Sequence, residues 1–201
     1  MERLVRPDLT PRRVTLFDAL VDLFLSRGFA HLTLEDMASR LRCSKSTLYT
    51  LADSKEQLVR VATVHFFRRA TEDVEARVAA ESGARERITA YLSAVGVALG
   101  AASDRFMSDL DAFAPAREVY QQNTHIAARR VQELIDEGVA AREFRSVHAG
   151  FAADLAATMM VRIQQGGVRA ATGLDHAHAY HELAALLTAA LSDGTHDATR
   201  V

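Results

Sequence analysis

Four helix-start signals crowd into the stretch from Thr10 to Gln57, and that crowding leaves room only for short helices between them. Thr10-Pro11 pairs a hydroxyl cap with proline at the first helical position. Thr33 with Asp36 three residues on has the form of a capping box, and Ser44 stands as the cap of a further, short helix. Ser54 with Gln57 repeats the box. Between the caps the apolar residues keep helical spacing. Phe17, Leu20, Val21 and Phe24 lie at i, i+3, i+4 and i+7, and Leu34, Met37, Ala38 and Leu41 do the same. Gly28 is placed to end the first helix as a left-handed cap, with Phe29 folding back. The reading is therefore a helix to Gly28, a second from Thr33, a very short third from Lys45 to about Leu51, and a long fourth from Ser54 to Glu81, before Ser82-Gly83.

A helix, a tight turn, a short helix and then a capped long helix is the layout of a helix-turn-helix unit. Leu34, Met37, Ala38, Leu41 and Leu48 are expected to pack against the first helix, leaving Lys45, Ser46, Thr47 and Thr50 outward. Small polar and cationic side chains at a helix N-terminus suit phosphate and base edges, because the helix dipole favours anions there. Two solvated helices in a bundle are the alternative. Charge weighs against it. Residues 1–69 hold twelve Lys and Arg against eight Asp and Glu, whereas the chain as a whole has 24 against 26. A basic head on an acidic body is what an approach to phosphate requires. The only two lysines, Lys45 and Lys55, both fall in this segment.

Two runs carry a likeness to a known family: Leu32-Thr33-Leu34-Glu35-Asp36-Met37-Ala38, and Cys43-Ser44-Lys45-Ser46-Thr47-Leu48-Tyr49 followed by Ser54-Lys55-Glu56-Gln57-Leu58. With the upstream Leu23-Phe24-Leu25-Ser26-Arg27-Gly28-Phe29, residues 10–67 resemble the TetR family of transcriptional regulators. The resemblance implies a homodimer on a double-stranded DNA operator, with a helical body that binds a small-molecule effector. Effector binding in such proteins moves the fourth helix and pulls the two heads out of register. By position, Lys45, Ser46, Thr47 and Thr50 would read or flank bases, while Thr33, Tyr49 and Lys55 would hold phosphates. Three places depart from the family pattern. Arg42 stands where many members have glycine, Leu51-Ala52 replaces a frequent His-Phe pair, and position 35 is acidic. These departures keep a rival open, a small-molecule binding protein whose head no longer reads DNA.

The expected fold is all-α: a helix-turn-helix head over 9–69, a helical effector and dimerisation body over 70–192, and a flexible tail over 193–201. Only 3 prolines and 10 glycines interrupt the chain, and a long helix is expected from Pro115 to Gly138. Phe151, Leu155, Met159 and Ile163 form one apolar stripe, and Ala179, Leu183, Leu186, Leu187 and Ala190 another. Two such terminal helices suit an intersubunit four-helix bundle. A pocket in the body would be mostly apolar with a few polar anchors. Phe106, Met107, Phe113, Tyr120, Asn123, Met159 and Gln164 are candidate lining residues, each also an ordinary core residue by type.

Other chemistries find little support. His176, His178 and His181 lie close together, but no third ligand with an orienting shell accompanies the helical pair, and Asp175 reads as a helix cap. No phosphate loop, paired-carboxylate signature or nucleophile elbow is present, so neither an enzyme nor a cofactor or metal site is expected. No apolar run reaches the roughly 20 residues that span a bilayer, and Met1 to Arg6 lacks the apolar core of a secretory signal. Cys43 is the lone cysteine. A protein of the cytoplasm is expected, with no membrane partner.

Overall fold

In the computed structural model, residues 11–192 are described, and they are α-helical, without a strand among them. The expected cap at Thr10 and the tail over 193–201 lie outside the described residues. Ten helices follow in order: α1 Pro11–Arg27, α2 Leu34–Arg40, α3 Lys45–Tyr49, α4 Lys55–Ala79, α5 Ala84–Gly100, α6 Asp104–Ala112, α7 Ala114–Ala140, α8 Ala149–Gln164, α9 Gly167–Thr172 and α10 His176–Leu191. Two expected ends move. α3 stops at Tyr49 with Thr50 as its C-cap, and α4 stops at Ala79. The glycines behave as breakers: Gly28 and Gly166 are left-handed, and Gly166 separates α8 from the short α9.

The helices form two compact units. Among the described residues, one takes in 11–68 together with Ser103–Tyr120, and the other takes in Arg69–Ala102 and 121–192. The first unit thus joins α1 to α3 and the start of α4 with α6 and the start of α7, which are distant in sequence. Aromatic rings knit it. Phe29 meets Phe24, Phe106 and Phe113 at centroid distances of 5.4, 6.0 and 5.8 Å, and Phe66 meets Phe106 at 6.2 Å. The last three of these pairs are edge-to-face, an arrangement that stabilises by roughly 0.5–1.5 kcal/mol beyond the area buried. Two turns earlier along α1, the buried His65 stacks on Phe17 and lies 2.7 Å from Asp18 Oδ1 through its Nε2.

The end of α1 is clasped by α6. Asp109 Oδ2 accepts hydrogen bonds from the backbone N–H groups of Phe29 (2.6 Å) and Ala30 (2.8 Å). Gly28, at φ +71°, makes room for this: a Cβ there would stand 2.5 Å from the same carboxylate oxygen. Ser103 N–H donates to the carbonyl of Leu25 at 2.8 Å, and the Ser103 side chain caps α6.

The second unit has one continuous apolar core. Ile88 and Leu92 of α5, Leu134 and Ile135 of α7, Ala156 and Met160 of α8, and Tyr180 and Ala184 of α10 are all buried in it. α5 packs closely on α10 because Gly96 lies against Tyr180, whose Cβ would be 2.9 Å from a side chain at position 96. Arg130 ties α4 to α7 through Glu75, at 3.0 Å, and bridges Glu133 on its own helix. The two apolar stripes read from the sequence are only partly internal. Ile163, Ala179 and Leu187 are buried, but Phe151, Leu155 and Leu186 are 69, 56 and 69 % exposed. Among the described residues, no helix is long and apolar enough to cross a membrane.

Candidate nucleic-acid interface

The interface begins with two caps. Thr33 and Asp36 make a reciprocal box: Asp36 N–H donates to Thr33 Oγ1 at 3.1 Å, and Thr33 N–H donates to Asp36 Oδ2 at 2.8 Å. The hydrogen bonds from Thr33 hold the Asp36 carboxyl below its ordinary range. Ser44 caps α3 by accepting from Thr47 N–H at 3.1 Å, while its hydroxyl lies 2.7 Å from that of Ser46 and 2.8 Å from that of Thr47. Between the two helices the chain turns through Arg42 at φ +51°, a left-handed conformation that costs a residue with a Cβ about 1–2 kcal/mol. Cys43 N–H then returns to the carbonyl of Ala38 at 2.9 Å and closes the turn.

Burial decides which edge of α3 faces out. Met37, Ala38 and Leu48 are at most 5 % exposed and pin α2 and α3 into the unit. Leu51 is also buried, so the residue after the Thr50 cap serves packing. Lys45, Ser46, Tyr49 and Thr50 remain exposed, and Thr47 is half-buried. Arg13 of α1 steadies the far end of the helix by donating to the Thr50 carbonyl at 2.7 Å, a role the sequence did not signal. The Thr50 hydroxyl donates back to the Thr47 carbonyl at 2.7 Å.

Four of the residues expected to contact DNA are brought together. Thr33, Lys45, Tyr49 and Lys55 line one open hollow of about 430 Å³, with Glu35 among them. Lys55 Nζ donates to the Ala30 carbonyl at 2.8 Å, which ties the start of α4 to the turn that Asp109 clasps. Lys45 Nζ bonds Glu35 Oε2 at 2.8 Å, and this carboxylate raises the ammonium above its ordinary range. Ser46 and Thr47 on α3, and Thr50 at its C-cap, lie outside that lining. The acidic residue at 35 was legible, but its pairing across the turn was not. Opposite charges ten residues apart on either side of the turn were the available signal.

The sequence from 16 to 62 matches the family described as bacterial regulatory proteins, tetR family. That segment is a tetR-family DNA-binding domain. The TetR-type head sits in a chain whose fold is that of known regulators. A transcriptional regulator from Cytophaga hutchinsonii is 12% identical, with a TM-score of 0.73 over 92% of this chain and 100% of that one. A TetR-family transcriptional regulator from Streptomyces coelicolor is 15% identical, with a TM-score of 0.69 over 90% and 96%. The regulator FadR from Bacillus subtilis, in complex with stearoyl-CoA, is 13% identical, with a TM-score of 0.67 over 88% and 97%. No relative was found among curated proteins.

The seven residues considered for an effector pocket divide between the units. Phe106, Met107, Phe113 and Tyr120 belong to the first, where Phe106 and Tyr120 are buried and pack on Phe66 and Phe67. Asn123, Met159 and Gln164 belong to the second, where buried Gln164 Nε2 donates to the Tyr180 hydroxyl at 2.7 Å. Asp175 caps α10 by accepting from His178 N–H at 2.9 Å. His178 and Asp175 also pair through their side chains at 2.9 Å, and no group of three ligating side chains is assembled among the described residues.

Proposed function

We propose that this protein is an effector-released transcriptional repressor that binds a near-palindromic operator as a homodimer. One observation carries the reading: a short helix, capped by Ser44 and pinned by Leu48, turns Lys45, Ser46, Tyr49 and Thr50 outward beside Lys55. Lys45, Ser46, Thr47 and Thr50 read or flank bases in the major groove, and Thr33, Tyr49 and Lys55 hold phosphates. Residues 9–69 form the reading head, to which 103–120 contribute packing. Residues 70–192 bind the effector and the second subunit.

Dimerisation is assigned to α8 and α10, which pack on one another and carry the exposed Phe151, Leu155 and Leu186. Large apolar side chains left outward on adjacent helices favour a partner surface. Two heads on one duplex should then stand about 34–36 Å apart, or a multiple of that turn. The effector is a small molecule taken up by the body near Asn123, Met159 and Gln164, a reading supported by the FadR of similar fold, which was solved in complex with stearoyl-CoA. Its signal reaches the head through α4, whose Lys55 touches the turn that Asp109 holds. The protein acts in the cytoplasm, without catalysis.

Selection of genomic fragments by the purified protein tests this reading. An enriched inverted repeat supports it, whereas the absence of any enriched sequence favours a binding protein whose head has ceased to read DNA. The burial of Leu51 weakens that rival, since the residue is accounted for by packing.

A further inference from the structure

We propose that Glu35 and Lys45 act as one recognition couple that selects a C·G base pair in each half-site, with Glu35 as a specificity-determining residue. The inference rests on the reading of the head as a DNA-binding unit and adds a residue and a base-pair class to it. Its starting point is an electrostatic cost. A carboxylate beside phosphates repels every duplex, and Glu35 is 78 % exposed on the face that carries Lys45, Tyr49 and Lys55. A head built only for phosphate would do better without it. The cost is tolerable where the carboxylate meets a donor that some base pairs offer and others do not.

The geometry says which. Glu35 stands in the first turn of α2, and Lys45 is the first residue of α3, with carboxylate oxygen and ammonium 2.8 Å apart. In the major groove, a C·G pair presents the cytosine N4 donor next to the guanine O6 acceptor, and these atoms are about 2.9 Å apart because they bond each other. An acceptor and a donor held at that spacing match the couple directly. Glu35 accepts from cytosine N4, and Lys45 donates to guanine O6 and N7. An A·T pair also sets a donor beside an acceptor, but its thymine methyl stands next to the acceptor where the ammonium must come. It also lacks the O6 and N7 pair that lysine favours. Lys45 thereby does two things at once, neutralising the carboxylate against the phosphates and reading the guanine.

The experiment is a selection from randomised duplexes with the full-length wild type and with Glu35→Gln and Glu35→Ala, followed by binding titrations over a range of salt. The exposure of the carboxylate makes folding of both variants the expectation, checked by circular dichroism. Wild type should enrich sites with C·G at one position of each half-site. Both variants should lose at least about fivefold in preference at that position alone. They should also bind random duplex more tightly, with a salt slope steeper by about 0.9 per subunit, since Lys45 is then free to neutralise a phosphate. Variants that enrich the same site with every preference intact would overturn the couple while leaving the head a DNA reader. Folded variants that bind random duplex no better than wild type would also overturn it. If wild type enriches no sequence, both the couple and the reading beneath it fall.

Discussion

The clasp between α6 and the end of α1 gives the sharpest prediction about the head. Asp109→Ala removes one acceptor from two backbone donors, Phe29 N–H and Ala30 N–H. Hydrogen bonds to a charged group contribute roughly 1.5–3 kcal/mol each. Ala30 is exposed and water replaces its partner, so a net loss of about 2 kcal/mol is expected. Gly28→Ala has two costs. The left-handed backbone at φ +71° adds about 1–2 kcal/mol. The new Cβ, 2.5 Å from Asp109 Oδ2, also pushes the carboxylate off its donors. Together these come to about 3 kcal/mol, of which roughly half is the loss of the clasp. In the double variant that half has already been lost, so the two changes should cost about 1.5 kcal/mol less than their sum. The chain has no tryptophan, so urea unfolding is best followed by far-ultraviolet circular dichroism at fixed protein concentration. Costs that add to within about 0.5 kcal/mol would mean that Gly28 is required by its backbone alone, which would refute its coupling to the clasp.

Arg42→Gly should stabilise the head by up to about 1 kcal/mol by relieving the left-handed turn, read as a higher urea midpoint. Lys55→Ala should weaken binding to every DNA sequence and flatten the salt slope by about 0.9 per subunit, whereas Thr47 changes should alter sequence preference. Leu48→Ala, at a site 1 % exposed, should cost about 2–5 kcal/mol of stability and loosen α3 enough to lose specific binding. Asp36 titrates below its ordinary 3.8 because Thr33 bonds the charged form. Its contribution is therefore complete above that value and is lost as pH falls through the lower folded one. Thr33→Val should return the Asp36 titration, followed by carboxyl NMR, toward 3.8 and cost about 1 kcal/mol through the lost cap.

What could be read from the sequence was local. Thr33 with Asp36, Ser44 with Thr47, and Asp175 with His178 are bonds three residues apart, so composition and spacing reveal them. The outward edge of α3 emerges from the same spacing once Leu48 is placed inside. The long-range partners were not legible. Asp109 reaches back 80 residues to Phe29, and His65 reaches 47 residues to Asp18; neither pairing leaves a periodic trace. For the same reason the packing of the Phe106 and Phe113 rings on Phe29 was not legible. Phe151, Leu155 and Leu186 kept helical spacing, yet spacing alone does not distinguish a core stripe from a partner-facing one.

The claim on which all else depends is that the α3 edge lies in the major groove of DNA. Tethered cleavage measures it directly. Cys43, whose thiol burial pushes upward, is replaced by alanine, and an iron chelate is attached through Ser46→Cys on the exposed edge. On the sequence that the protein selects, two clusters of cuts are expected, centred about 10 base pairs apart or a multiple of that. Their strand offsets should be those of a reagent in the major groove. Cleavage confined to the minor groove, or a protected site left uncut by the tethered iron, would contradict the claim.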